Sequence, residues 1–273
     1  MMIAKGQPEL AINVAGMTIR VLCNDAVVTE RLRDWYADFL NVHGSPLVTV
    51  EVEVQSGVQF LPLEPGPWVI RSSVQDGQLR FESYFESGWV DLNRARGRLV
   101  MAEHASIENF LRVLYAYLGV ERDALLVHAS GVVKGGKAYV FFGPSGSGKT
   151  TTARLSIGHT ILSDDMVLLK KANGKVIAYG VPFRGELPQA PRSNVNVELA
   201  GLFCLRKDDR HFVVPLDRPR AIAELVGCIP YVMTTPAMSW RVVELCHGFV
   251  AKVPAKKLHF RRDAGFWDVI ESD

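Results

Sequence analysis

The sequence predicts an α/β chain in two parts, a smaller α+β domain over residues 1–120 and an α/β domain over 121–273. Three observations carry that expectation. A glycine-rich loop, Gly143-Pro-Ser-Gly-Ser-Gly-Lys-Thr150, follows the apolar stretch Lys137–Phe142 and runs into a helix starting Thr151-Thr-Ala-Arg-Leu155. Two acids, Asp164 and Asp165, end the next apolar segment, Ile161-Leu-Ser. The first half instead alternates short strands with two helices and holds no comparable loop, and the pattern changes to longer β segments near residue 120.

Taken in order, Leu10–Val14 and Met17–Cys23 alternate as strands around Ala15-Gly16, a hairpin-like turn. Val28–Leu40 carries Leu32, Trp35, Tyr36, Phe39 and Leu40 at helical spacing. Val48–Val54 alternates as a strand. Trp68–Val74, Leu79–Phe85, Trp89–Leu92 and Leu99–Ala102 then predict a meander with turns at Gln75-Asp-Gly77, Glu86-Ser-Gly88 and Arg94-Ala-Arg-Gly97. A second helix is expected from Ser106 as N-cap to Gly119 as C-cap. In the second half Ala124–Val127, Gly131–Lys134 and Lys137–Phe142 read as strands, the last two joined at Gly135-Gly136. Helix Lys149–Ile157 stops at Gly158, and strand Thr160–Ser163 follows. Met166–Lys170 and Lys175–Tyr179 flank the hairpin signal Asn173-Gly174, and Leu199–Leu205 with Phe212–Leu216 reads as another hairpin. Helices Arg218–Val226 and Pro236–Val250 come next, then strand Lys256–Arg262 and a short helix capped by Asp263.

Composition narrows the function. With 48% apolar and 22% charged residues the chain is that of a globular protein able to bury a core. The net charge of +2 argues against a nucleic-acid partner, which calls for a concentrated basic face. Cys23, Cys204, Cys228 and Cys246 are widely spaced and read as buried thiols of a reducing compartment. The start, Met1-Met-Ile-Ala-Lys-Gly-Gln-Pro8, lacks a signal-peptide core, and no apolar run approaches the ~18 residues of a membrane span. A cytoplasmic protein without membrane contact is expected.

The loop fits G-x-x-x-x-G-K-[ST] at every fixed position and stands between a strand and a helix N-terminus. Successive backbone N–H groups of such a loop cradle phosphates, and the helix dipole favours their charge. Gly143, Ser145, Gly146, Ser147, Gly148, Lys149, Thr150 and Thr151 are therefore the expected nucleotide contacts. Lys149 would reach the β- and γ-phosphates of ATP, and the Thr150 hydroxyl would join the Mg²⁺ shell. Two acids beside that loop supply the hard oxygen ligands Mg²⁺ needs, although Asp-Asp also caps ordinary β-turns. Their spacing is short: one helix and one strand separate Lys149 from Asp164. His128, read at the end of an apolar strand, is either a hydrogen-bonded core residue or a member of the site. Arg184, in Val181-Pro-Phe-Arg-Gly-Glu186, offers a guanidinium to phosphate or pairs with Glu186 on the surface. Lys257, His259 and Arg261 share one strand face, either solvated or in contact with a peptide or phosphate.

These residues resemble the HPr serine kinase/phosphorylase family: His128-Ala-Ser-Gly, then Gly143–Thr150, then Leu162-Ser-Asp-Asp165. The tail, Val253-Pro-Ala-Lys-Lys-Leu-His-Phe-Arg-Arg followed by Phe266-Trp267, looks like the stand-alone HPr kinase-related subgroup, which often accompanies peptide-modification cassettes. The resemblance covers roughly residues 120–270. It implies a P-loop domain of the HPr kinase/phosphoenolpyruvate carboxykinase type. By it, Asp164 would take the proton of an acceptor hydroxyl, Asp165 and Thr150 would hold Mg²⁺, and His128 would lie beside the transferring phosphoryl group. The family's Glu-x-Arg-Gly is Pro182-Phe-Arg-Gly185 here, so its metal-supporting Glu is absent and only Glu186 could stand in. No long segment associated with phosphorolysis is evident, so forward transfer is what the resemblance implies.

The expectation is an ATP- and Mg²⁺-dependent kinase acting on a Ser hydroxyl of a small protein or peptide. The N-terminal domain would recognise the acceptor or assemble a homo-oligomer. A small-molecule kinase with the same core and a nucleotide-binding regulator with little transfer activity are the alternatives.

Overall fold

The computed structural model describes residues 8–41, 45–66, 68–187 and 193–272; most of the N-terminal stretch read for a signal peptide, residues 1–7, lies outside them. The chain divides into two compact units, Met1–Tyr115 and Ala116–Asp273. Each is mixed α/β around its own sheet.

In the first unit β1 (Glu9–Val14) and β2 (Met17–Cys23) form a hairpin through Ala15 and Gly16, both at positive φ. Asp25 caps α1 (Ala26–Trp35) by accepting from the Val28 amide at 2.8 Å. The helix stops five residues before the expected Leu40. Tyr36 leaves helical geometry, a single 3-10 turn (Ala37–Phe39) follows, and both Tyr36 and Phe39 are buried. Apolar spacing continued across that break because the 3-10 turn keeps the same residues pointing inward. Strand β3 (Val48–Gln55) lies parallel to β2 and to β7 (Arg96–Ala102). Beyond β7 come β6 (Glu86–Asp91), β5 (Gln78–Glu82) and β4 (Arg71–Gln75), all antiparallel, giving the order β1-β2-β3-β7-β6-β5-β4.

Two glycines misled the expected meander. Gly88 and Gly97 lie inside strands, not turns. A β-carbon at either would strike the backbone of the neighbouring strand, at 2.6 Å from the Trp89 carbonyl oxygen for Gly97. Close cross-strand approach, not turn geometry, is what requires glycine there. The turns sit at 83–85 and 92–95 instead. Helix α2 (Glu108–Val120) begins with the Ser106 hydroxyl accepting from the Glu108 amide, and it runs through Gly119 instead of ending there. In the first unit its Phe110 ring meets Phe81 of β5 edge to face, at 5.5 Å between centroids.

The second unit is built around β8 (Ala124–Lys134), one continuous strand where the sequence suggested two. Its first half pairs with β11 (Met166–Ala172), and its second half with β10 (Thr160–Ser163) and β9 (Lys137–Phe142), each antiparallel. Gly131 lets its neighbours close on the strand, since a β-carbon would lie 2.8 Å from the Val167 side chain. Strand β12 (Lys175–Tyr179) follows β11 through Asn173-Gly174 at positive φ, then pairs with the long β13 (Asn196–Lys207).

Strand β13 does not form a hairpin with β14 (Phe212–Pro215). Strand β15 (Ala255–Phe260) inserts between them, parallel to β13 and antiparallel to β14. Because β13 also runs parallel to β9, the carboxyl ends of β9, β13 and β15 share one edge of the sheet. Helices α4 (Arg218–Val226) and α5 (Pro236–Lys252) are capped by Asp217 and Thr235, with Pro in the first turn of each. Helix α3 (Lys149–Leu155) packs with α6 (Phe266–Glu271) in a cluster containing Phe141, Ala153, Leu258, Phe260, Phe266 and Trp267.

Candidate functional site

The loop from Gly143 to Gly148 leaves β9 at the shared edge and enters α3. Gly143, Gly146 and Gly148 take φ of 149°, 75° and 113°, which side-chain-bearing residues rarely adopt. At Gly148 a second constraint applies: a β-carbon would stand 2.6 Å from the Phe260 ring, which packs under the loop from the end of β15. Lys149 is buried and folds its ammonium back onto the loop, donating to the Gly143 carbonyl at 3.0 Å and the Pro144 carbonyl at 3.1 Å. Burial holds that ammonium below the usual lysine range, while Cys228 and Asp165 nearby pull it upward.

Beneath the loop the Thr152 hydroxyl donates to the Lys149 carbonyl at 2.7 Å and shares a hydrogen bond with Ser130 of β8 at 2.8 Å. The first turn of α3 is thereby tied to the strand that carries His128. Ser147 Oγ is buried with no hydrogen-bond partner among the described residues. An orphaned hydroxyl and three left-handed glycines in a strand–helix loop fit an anionic, phosphate-sized group.

The two aspartates occupy the crossing from β10 to β11. The Ser163 hydroxyl accepts from the amides of Asp165 (3.2 Å) and Met166 (3.1 Å), closing that turn. The crossing lies opposite the middle of β8, where the Ala129 amide donates to the Asp165 carbonyl at 3.0 Å. Phe142, the last residue before the loop, pairs with Ala129 from the other side. Register alone thus brings His128, Asp165 and Gly143 together. His128 stands in mid-strand, not at a strand end, and its Nε2 is 3.4 Å from Asp165 Oδ1.

Asp164 is buried, and burial raises its carboxyl above the usual range. The Leu187 amide, donating to Oδ2 at 2.9 Å, opposes that shift, and so does the Glu186 amide. Asp164 therefore anchors the loop after β12 that contains Arg184. Arg184 and Glu186 are both exposed, and Glu186 makes no ion pair among the described residues. Thr150 and Thr151 are half-buried at the helix start, and Ser145 is exposed at the loop tip.

Among the described residues no group of three or more His, Cys, Asp or Glu side chains converges as a ready-made metal site. Thr150 and Asp165 fit a weaker demand, since Mg²⁺ held with a nucleotide needs only one or two protein oxygens beside phosphates and water. Of the expected basic trio, Lys257 and His259 lie on β15 and Arg261 lies past its end; His259 is half-buried, with Nδ1 2.9 Å from Asp208 and its ring stacked on Phe212, and Arg261 pairs with Asp263.

Two residues of the site escaped the sequence reading. Cys228, after α4, takes a hydrogen bond at sulfur from the Gly143 amide, and its carbonyl accepts from the His128 amide at 2.8 Å. Burial pushes its thiol upward. Phe260 is the other. Neither has a local signal, because each arrives from an element distant in sequence. All four cysteines are buried and free, and among the described residues no helix is long and apolar enough to cross a membrane.

The model of one protein family, described as SynChlorMet cassette protein ScmC, matches residues 100–272, more than half of the chain. No curated protein is significantly similar to the chain. Among solved structures, that of the Hpr(Ser) kinase/phosphatase from Coxiella burnetii is similar over 54% of this chain and 94% of that chain, with 13% identity and a TM-score of 0.31. The matching family is thus ScmC and not an HPr kinase family, and the structural likeness is a distant one.

Proposed function

The chain belongs to the ScmC family of SynChlorMet cassette proteins, and from the loop geometry within the matched segment we propose that it is an ATP- and Mg²⁺-dependent kinase acting on a Ser hydroxyl of a small protein or peptide. One observation carries the reading. The glycine loop with its buried Lys149 opens beside a strand crossing that holds two aspartates, one buried and one facing His128. Phosphoryl transfer needs little beyond positioning and electrostatic stabilisation, and each part has a candidate here.

In this reading the loop amides and Lys149 hold the β- and γ-phosphates, the ammonium leaving the Gly143 and Pro144 carbonyls for phosphate oxygens. Thr150 and Asp165 hold Mg²⁺, which when bound neutralises phosphate charge. The acceptor oxygen attacks the γ-phosphorus, the bond from that phosphorus to the β,γ-bridging oxygen breaks, and ADP leaves. Asp164 receives the hydroxyl proton, a role suited by a carboxyl lifted above its usual range. Arg184 offers its planar fork to the charge spreading over the equatorial oxygens.

The test is direct. Purified protein is given γ-labelled ATP, Mg²⁺ and a panel of Ser-containing peptides alongside small hydroxyl compounds. Label should pass to a peptide Ser, and Lys149→Ala should abolish it. Label on small hydroxyl compounds alone would replace the peptide acceptor, and tight ATP binding without transfer to anything would leave a nucleotide-binding regulator.

A further inference from the structure

Strands β4 to β7 of the first unit have two unlike faces. Leu79, Phe81, Val90, Leu99 and Met101 are buried on one. On the other, residues in register form a row across four strands: Ser73, Arg80, Trp89 and Arg98. With Phe60 they line a hollow of about 900 Å³.

The charges in this hollow are unevenly answered. Arg71 pairs with Glu82 at 3.6 Å, and Arg98 pairs with Glu53. Arg80 is exposed and, among the described residues, has neither an ion-pair nor a hydrogen-bond partner. Trp89 lies half-buried between Arg80 and Arg98. Cross-strand pairs that stabilise a solvated sheet put opposite charges or apolar groups together. Arg98 is already answered by Glu53, so the open charge beside Trp89 is that of Arg80, and Trp and Arg are the residues enriched at binding hot spots.

We propose that this face is a docking groove for an acidic, extended segment of a partner polypeptide. Arg80 and Arg98 arise two strands apart, roughly 10 Å at the backbone, and each long side chain adds its own reach. In an extended chain alternate residues face one side at roughly 7 Å intervals. A carboxylate at position i therefore meets the open Arg80 guanidinium, an apolar or aromatic residue at i+2 rests on Trp89, and a second carboxylate at i+4 reaches the Arg98 guanidinium beside Glu53. A nucleic acid fits less well. Glu51, Glu53, Glu82 and Asp91 alternate onto the same face and would oppose a phosphate backbone, while leaving room for discrete carboxylates. The proposal concerns the first unit alone and does not depend on phosphoryl transfer.

The test uses the full chain and fluorescence anisotropy at low salt. The probe is a fluorescein-labelled peptide of Glu-Thr-Phe-Thr-Glu repeats. Its Gln-for-Glu counterpart and labelled oligo-dT serve as comparisons. The Glu peptide should bind saturably and weaken with salt. Affinity should fall at least about tenfold in Arg80→Glu and less in Arg80→Gln, as expected for an interfacial charge. Binding of a fluorescent ATP analogue, read in the same samples, should not change, which separates this proposal from the kinase reading. No saturable peptide binding, equal binding of the Gln peptide, unchanged affinity in Arg80→Glu, or tighter binding of oligo-dT would each overturn it.

Discussion

The α-carbon of Gly185 rests against the carboxylate of Asp164, so closely that a β-carbon at position 185 would collide with both carboxylate oxygens. Glycine is required there by proximity, since its φ is not among the left-handed values. Gly185→Ala must therefore move either the loop or the carboxylate. If Asp164 takes the acceptor proton, the variant should lose turnover by ~10²-fold or more, the range of a misplaced general base. ATP affinity should stay near that of the wild type. Single-turnover transfer beside equilibrium ATP binding checks this, and full turnover would remove Asp164 from the proton path.

Substitution should separate the two neighbouring acids. Asp165→Asn should raise the Mg²⁺ concentration needed for nucleotide binding, as should Thr150→Ala. Asp164→Asn should spare binding and lower turnover. Equal loss of nucleotide affinity in both aspartate variants would make Asp164 a second metal contact.

Lys149→Ala should weaken ATP binding by roughly 10- to 100-fold, the value of a charge-assisted hydrogen bond or two. Titration calorimetry with and without Mg²⁺ measures it. Unchanged affinity would defeat the nucleotide assignment itself.

Turnover should depend on pH as a narrowed bell. Asp164 must be ionised to accept a proton, and its carboxyl is raised by burial, so the acid limb should lie above the usual aspartate range. Lys149 must stay charged, and its ammonium is lowered by burial, so the alkaline limb should fall before free lysine would titrate. Asp164→Asn should abolish the acid limb.

Stability carries its own pH signature through Glu86. Its carboxyl is buried in the first unit, where desolvation, with Glu108 adding repulsion, lifts it to about 8. One of its oxygens has no partner among the described residues. The folded state holds a proton that the unfolded chain releases near 4.5. Glu86 therefore stabilises least where it must ionise: its favourable contribution is complete below 4.5 and is lost by roughly 1.4 kcal/mol per pH unit up to about 8. Thermal melts of Glu86→Gln should lack this decline relative to the wild type.

What the sequence disclosed follows the locality of each signal. Met17–Cys23, Lys137–Phe142, Thr160–Ser163 and Lys175–Tyr179 read with their observed bounds, three of them flanked by turns at positive φ. The phosphate-type loop was equally visible, being contiguous. Gly88 and Gly97 misled because glycine reports crowding by a neighbouring strand as readily as a turn. The continuity of β8 was hidden across His128, Ala129 and Ser130, where two small residues give no strand signal and Ser130 meets Thr152 of α3. Cys228 and Phe260 reach the loop only through tertiary pairing, so no spacing announced them.

The insertion of β15 has a temporal meaning. The loop's floor is Phe260, and its strand β9 is flanked by β13, whose outer partner is β15. These parallel pairings join segments remote along the chain, the kind that form late because long loops must close first. On the ribosome, Gly143–Thr150 emerges well before the strand that supports it. A chain that ends before Ala255–Phe260 therefore lacks the ring that lies against Gly148, so the support of the loop is completed only with the last strand.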